Sequence, residues 1–184
     1  MSETDPHDDQ EPPSRGRNRE LTITINDCPH GLESPIHEAA RETLNTHQIH
    51  HGTLDIAILG DAEMRRQHAQ WLNENSTTDV MTFDLRDDDN EDRVEAQLLV
   101  CKSVARRRAR SRKTDWHAEL LLYVVHGCLH LCGFDDHTPE ESARIHEQED
   151  RILQKLGWGP VFSSKGDPNL SGNPDSKPVH GDGS

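Results

Sequence analysis

Apolar and polar residues alternate along three short stretches of the chain, which is the pattern of a β-strand with one buried face. These stretches cover residues 21–25, 54–58 and 79–85. A fourth run, over residues 98–101, is apolar at every position, as expected of a strand that is covered on both faces. The sequence therefore predicts four strands.

Apolar residues recur at helical spacing between and after these strands, and side chains that commonly begin helices precede three of the segments. We expect helices that begin at Ser34, at Asp61 and at Thr138, and two more over residues 104–113 and 118–131. The helix at Thr138 has the strongest start signal, because Pro139 and Glu141 complete a capping box. This order of elements predicts an α+β fold, in which a mixed four-stranded sheet packs against helices and the apolar helix 118–131 is central and buried.

Composition divides the 184 residues into a folded part and two tails. Residues 1–19 combine acidic residues, prolines and arginines without apolar anchors, and residues 163–184 are rich in Gly, Pro, Ser and Asp. Segments of this composition cannot bury enough apolar surface to fold. We therefore expect one domain, over residues 20–162, between two disordered tails.

The formal net charge of -14 argues against a surface that attracts nucleic acid generally. Positive charge is dense only between residues 104 and 113, where Arg106, Arg107 and Arg110 are candidates to bind RNA phosphates. A solvated helix face explains the same arginines equally well.

The chain has no apolar run of membrane-spanning length, and its N-terminus does not have the pattern of a secretory signal. Four cysteines are too few for a secreted disulfide framework and are typical of free, buried thiols. We expect a cytoplasmic protein that has no membrane partner.

Three histidines lie close together where the central helix ends, and they predict a metal site. His126 and His130 are four residues apart, so both rings project from one face of a helix. Gly133 can adopt the left-handed conformation that ends a helix, which would let the chain carry His137 back towards the first two rings. Three nitrogen ligands with a vacant fourth position are the usual arrangement of a catalytic zinc.

Helical geometry removes other candidate ligands from this site. At about 100° per residue, Cys128 and Cys132 point away from the two histidines, and His117 lies on the opposite face. His146, on the next helix, remains a candidate either to support a ligand or to act as a spare one.

Two features of the motif bear on its chemistry. The spacing is that of the zinc proteases with His-Glu-x-x-His, but Gly127 stands where those enzymes have their general base, which argues against peptide hydrolysis by that route. Close packing or the approach of substrate would each explain this glycine. Asp135 and Asp136 are candidate catalytic residues that could orient an imidazole or a bound water, and one of them could instead shape the turn.

The run from His126 to His137 closely resembles the signature of the YbeY endoribonucleases, H-G-x-L-H-L-x-G-Y-D-H. Residues 78–83, Thr-Asp-Val-Met-Thr-Phe, resemble the T-D-V-L-S-F strand of that family. The order of elements also agrees, so the resemblance extends from about Leu21 to Trp158.

This resemblance implies a zinc-dependent, single-strand-specific endoribonuclease with one Zn²⁺ ion, whose ligands would be His126, His130 and His137. It implies a zincin-like fold, and a role in ribosomal RNA processing that includes maturation of the 16S RNA 3′ end, ribosome biogenesis and quality control. The implied partners are single-stranded RNA and the small ribosomal subunit. Two alternatives stay open: a zincin-type metallopeptidase, and a ribosome-assembly factor without catalytic activity whose zinc is structural.

The chain departs from the family pattern at three places. Phe-Asp-Asp replaces Tyr-Asp before the last histidine, so His137 comes one residue later than in the pattern. Leu72 stands in a turn that often carries an arginine in the family, and Ala96-Gln97 replaces a usual Gly-Asp.

Overall fold

A computed structural model describes residues 20–87, 92–159 and 179–180. Its strands are β1 (Leu21–Asn26), β2 (His51–Leu59), β3 (Val80–Asp84), β4 (Arg93–Cys101) and β5 (Val179–His180). They form one sheet in the order β1-β2-β4-β3-β5, in which β1, β2 and β4 are parallel. Strand β3 is antiparallel to β4, and β5 pairs in parallel with β3. The mixed sheet and the four predicted strands are thus confirmed.

Strand β4 begins at Arg93, five residues before the predicted apolar run. Residues 93–97 alternate between buried and more exposed positions, whereas 98–101 are all buried, so only the second half has two covered faces. The added strand β5 consists of two residues in the predicted tail 163–184. The other residues of this tail, and residues 1–19 and 160–162, lie outside the described ranges.

The described ranges contain five helices. They are α1 (Glu33–Thr46), α2 (Asp61–Leu72), α3 (Lys102–Arg112), α4 (Trp116–Leu131) and α5 (Pro139–Lys155). The predicted start of α5 is confirmed: Thr138 Oγ1 accepts a hydrogen bond from Glu141 N at 3.2 Å, and Thr138 N donates to Glu141 at 3.0 Å. These reciprocal bonds satisfy two backbone donors that the helix itself leaves unpaired.

Two predicted helix starts are wrong by one position or more. The residue before α1 is the buried Leu32, and Ser34 lies inside the helix, where its hydroxyl donates to Glu38 at 2.8 Å. Asp61 is the first residue of α2 rather than its cap, which is Gly60. In both cases the helix begins without a side-chain cap, so the polar residue nearby did not mark the helix start.

Helix α4 is the centre of the fold, as predicted. Only Trp116, His117 and His126 of its residues are not buried. A Cβ atom at position 127 would lie 2.9 Å from Leu98 Cδ2 and 3.2 Å from Thr82 Oγ1. Close packing of α4 on the sheet therefore explains Gly127, and a glutamate there would have to displace strand side chains.

Within the described ranges, every helix is too short or too polar to cross a lipid bilayer.

Candidate metal centre

The C-terminal end of α4 turns the chain back over the helix. Gly133 has φ +86°, and its N–H donates to the carbonyl of His130 at 3.0 Å. The N–H of Phe134 donates to the carbonyl of Leu129 at 3.1 Å. These two bonds form a Schellman motif, which needs a left-handed residue at the position of Gly133. The prediction that Gly133 ends the helix is confirmed.

His126 and His130 face each other on this end of α4. Their Nε2 atoms are 3.0 Å apart, and their rings meet nearly edge to face, with centroids 4.6 Å apart. The His126 side chain is 14% exposed, so the pair is largely shielded but reachable from solvent. Helical spacing alone predicted this pairing, and the structure brings the two rings together.

The outer nitrogen of each ring is engaged with an acceptor. His126 Nδ1 lies 2.6 Å from Glu149 Oε1, and His130 Nδ1 lies 2.9 Å from the carbonyl oxygen of Phe134. A carbonyl oxygen and a carboxylate can only accept, so both Nδ1 atoms must donate. A neutral imidazole carries one proton, and therefore both Nε2 atoms present lone pairs to each other.

Two lone pairs at 3.0 Å repel unless they share a proton or a cation. Two nitrogens bound to one tetrahedral zinc, at the usual 2.0–2.1 Å, lie about 3.3 Å apart. The observed separation is close to this value, and the hydrogen bonds already leave the correct nitrogen of each ring free. The residues present therefore fit a metal ion of the zinc type.

Asp136 completes the group around the two histidines. Its Oδ2 lies 3.9 Å from His126 Nε2, and one ligand atom from each of the three residues lies within 4.8 Å of the others. Among residues 20–87 and 92–159, no fourth His, Cys, Asp or Glu joins them. The arrangement offers two nitrogens and one carboxylate to a metal ion.

The structure does not bring the predicted ligand His137 to the two helix histidines. Its side chain is 51% exposed, and its Nε2 lies 3.2 Å from Asp135 Oδ2. His137 groups with Asp135 and Asp136 instead. Counting the family pattern from His126, the last letter falls on residue 136, so Asp136 takes the place of the final histidine.

Burial and charge act on the two rings in opposite directions. Burial lowers the pKa of His126, but the hydrogen bond and the negative charge of Glu149 outweigh burial, and the pKa is raised. Burial, with the neighbouring His126, lowers the pKa of His130. Of the two rings, His126 is therefore the one that binds a proton more readily.

Glu149 and His146 extend the site onto α5. Glu149 is fully buried, and its second oxygen lies 2.9 Å from His146 Nδ1. Burial raises the pKa of Glu149, but hydrogen bonds from His126 and His146 outweigh burial, and the pKa is lowered. His146 thus supports the site through Glu149. Sequence reasoning missed Glu149. Its position between Ile145 and Ile152, on the buried face of α5, could have indicated a buried carboxylate that needs a partner.

The cysteines of the motif are not part of the group, as predicted. Cys128 is fully buried and Cys132 is packed against the core. Burial raises the pKa of Cys132 to about 12 and raises that of Cys128 well above its usual range, so both remain protonated thiols at neutral pH.

The three arginines predicted to contact RNA lie on α3 and differ in their partners. The Arg106 guanidinium lies 4.5 Å above the ring of Trp116, and Arg107 donates to Asp61 at 2.5 Å. Arg110 is exposed.

Leu72, where the family often has an arginine, packs against an apolar cluster that includes Met64 and Phe83, so this position does not supply a positive charge.

Comparisons with known proteins agree with the motif. A family model described as Endoribonuclease YbeY matches residues 17–157. Endoribonuclease YbeY of Chlorobium luteolum is 36% identical over 105 residues, which make up 56% of this chain and 74% of that protein. The corresponding protein of Chlorobium phaeovibrioides is 32% identical over 127 residues, which make up 69% of this chain and 84% of that protein.

The fold has a solved counterpart. The solution structure of TM1509 from Thermotoga maritima is similar to this chain, with a TM-score of 0.56 and 25% identity, over 80% of this chain and 98% of that one. The family model covers strands β1 to β4, helices α1 to α5 and the histidine pair. The chain therefore belongs to the endoribonuclease YbeY family.

Proposed function

We propose that the protein is a zinc-dependent endoribonuclease that cleaves single-stranded RNA. Family membership supports RNA as the substrate. The observation that carries the metal dependence is the pair of Nε2 lone pairs that face each other at 3.0 Å between His126 and His130. The proposed setting is the cytoplasm, where the enzyme would mature the 3′ end of 16S ribosomal RNA and act in ribosome biogenesis and quality control, with the small ribosomal subunit as its partner.

His126, His130 and Asp136 would hold the ion, in a zincin-like arrangement of a mixed sheet and a metal-bearing helix. The open position beside them suits a water or a phosphoryl oxygen. When bound, the ion would polarise the scissile phosphodiester and stabilise the negative charge that builds in the transition state. The hydrogen bonds that the two imidazoles donate to Glu149 and to the Phe134 carbonyl keep the rings oriented.

With Asp136 as a ligand, Asp135 is the remaining candidate for proton transfer. Its side chain is 41% exposed, and it lies 3.2 Å from the ring of His137. In this proposal the pair of Asp135 and His137 accepts the proton of the nucleophile, which is either a water or the RNA 2′-hydroxyl. The arginines of α3 would bind the RNA backbone.

Neither alternative function has an observation in its favour. A metallopeptidase of the His-Glu-x-x-His type needs a glutamate at position 127, where a Cβ atom would be 2.9 Å from Leu98. A purely structural zinc normally has four protein ligands, and the described part of the chain supplies three to this group.

The test is metal analysis combined with cleavage assays on single-stranded RNA and on an unstructured peptide. We expect the purified wild type to contain about one zinc and to cut RNA only, and His130→Ala to lose both the metal and the activity while remaining folded. His117→Ala is the matched control, because His117 lies on the same helix but is 37% exposed and contacts Asp115. A wild type without metal, or peptide cleavage, would overturn the proposal. A cyclic phosphate on the product would identify the 2′-hydroxyl as the nucleophile.

A further inference from the structure

Glu149 is a fully buried carboxylate among apolar neighbours. It lies on the inner face of α5, where its neighbours Ile145, Ile152 and Leu153 are also buried. A buried charge without partners is very costly, so such a group persists where its partners compensate for the lost hydration.

The partners of Glu149 are two imidazoles. Its Oε1 accepts from His126 Nδ1 at 2.6 Å, and its Oε2 accepts from His146 Nδ1 at 2.9 Å. No lysine or arginine in residues 20–87 and 92–159 forms an ion pair with it. The negative charge of Glu149 is therefore compensated in part by His126, the same ring whose Nε2 faces His130 and Asp136.

We infer that Glu149 is a positioning residue for the metal: it keeps the proton of His126 on Nδ1 and thereby directs the Nε2 lone pair at the ion. This inference rests on the proposed metal dependence. A carboxylate that accepts from a ligating histidine fixes the tautomer and the orientation of the ring, and it makes the other nitrogen a better donor. Together with Asp136, Glu149 also supplies two negative charges that balance a divalent cation in a largely buried site.

His146 holds the second oxygen of Glu149 and so fixes the carboxylate at both ends. The two residues are three positions apart on α5, and the outer nitrogen of His146 lies 3.3 Å from Ser142 Oγ. The His146 side chain is 28% exposed, so water can replace part of its hydrogen bonding. Its loss should therefore weaken metal binding less than the loss of Glu149.

The experiment measures zinc affinity by competition with a chromophoric chelator. Glu149→Gln keeps the shape of the side chain but removes the charge and one acceptor. We expect Glu149→Gln to bind zinc about 10–100-fold more weakly than the wild type, the usual effect of losing such a partner. His146→Ala should give a smaller loss.

Glu119→Gln is the matched control, because Glu119 is also fully buried but pairs with Arg112, on α3, at 3.0 Å. Its zinc affinity should stay within about twofold of the wild type, whatever the change in stability. Equal affinities of Glu149→Gln and Glu119→Gln would overturn the inference. A wild type that binds no zinc would instead overturn the proposed function, so the two failures are distinguishable.

Nitrogen NMR of the zinc-loaded wild type keeps the inference testable if Glu149→Gln does not fold. We expect the proton of His126 on Nδ1, shifted downfield by its short hydrogen bond and slow to exchange with water. A proton on Nε2, or an Nδ1 proton that exchanges as fast as that of an exposed histidine, would overturn the inference.

Discussion

A buried glutamate lies near each end of helix α4, Glu119 on the helix itself and Glu149 on α5, and the two have different partners. Near the N-terminus, Glu119 accepts two hydrogen bonds from Arg112 at 3.0 and 3.3 Å. Near the C-terminus, Glu149 of α5 accepts from His126 and His146. Both carboxylates are fully buried.

The partner decides what a buried carboxylate can do. Arg112 is a permanent cation without an acceptor atom, so its pair with Glu119 can only hold α3 against α4. The imidazole of His126 has two nitrogens, and when Glu149 fixes the proton on one, the other is free to bind a metal. Equal burial of the same residue type thus gives a structural contact at one end of the helix and, in the proposed function, a contact that supports metal binding at the other.

The largest effect on stability is expected at the N-terminal end. Arg112→Met leaves the Glu119 charge buried without its cation, and removal of one partner of a buried ion pair costs about 3–5 kcal/mol. Urea unfolding should therefore show a decrease of that size in the free energy of unfolding. The exposed Arg110→Met is the control and should change stability little. A decrease below about 1 kcal/mol for Arg112→Met would mean that water compensates Glu119.

At the C-terminal end, the comparison of Asp136 with His137 identifies the third ligand. Asp136→Ala should reduce zinc affinity by more than about 100-fold, because loss of a ligand exceeds the effect of losing a supporting hydrogen bond. His137→Ala should change it only a few-fold, since that ring contacts Asp135 rather than the histidine pair. Chelator competition measures both. The reverse order of effects would assign the ligand to His137, as the sequence motif alone predicts.

Zinc affinity at the C-terminal end of α4 should also depend on pH. The pKa of His126 is raised above its usual value, so this ring keeps a proton that zinc must displace until the pH exceeds that pKa. Zinc affinity should therefore rise with pH, by up to about tenfold per unit for each displaced proton, and then level off. Calorimetric titrations in buffers of different ionisation enthalpy would measure the proton release. Release of no proton below the plateau would contradict the raised pKa of His126.

Local sequence patterns were sufficient for one part of this site and insufficient for the other. The pairing of His126 with His130 follows from helical spacing, and the turn at Gly133 follows from the need for a left-handed residue there. The proposed roles of Asp136 and Glu149 depend on how the chain returns after that turn and on how α5 packs against α4. These are contacts between distant elements, which spacing along the chain does not contain.

The arginines of α3 are expected to give the smallest effect, and they extend the comparison from buried to exposed charges. Arg107 already pairs with Asp61 at 2.5 Å, so little of its charge is available to a phosphate, whereas Arg110 is exposed. Each arginine that neutralises a phosphate releases a counterion. Replacing such an arginine should therefore reduce the steepness with which log affinity falls with log salt concentration by about 1. Titrations of single-stranded RNA at several salt concentrations should therefore show this change for Arg110→Gln and less than half of it for Arg107→Gln. Equal slopes for the wild type and Arg110→Gln would mean that this face of α3 is only solvated and that the RNA backbone binds elsewhere.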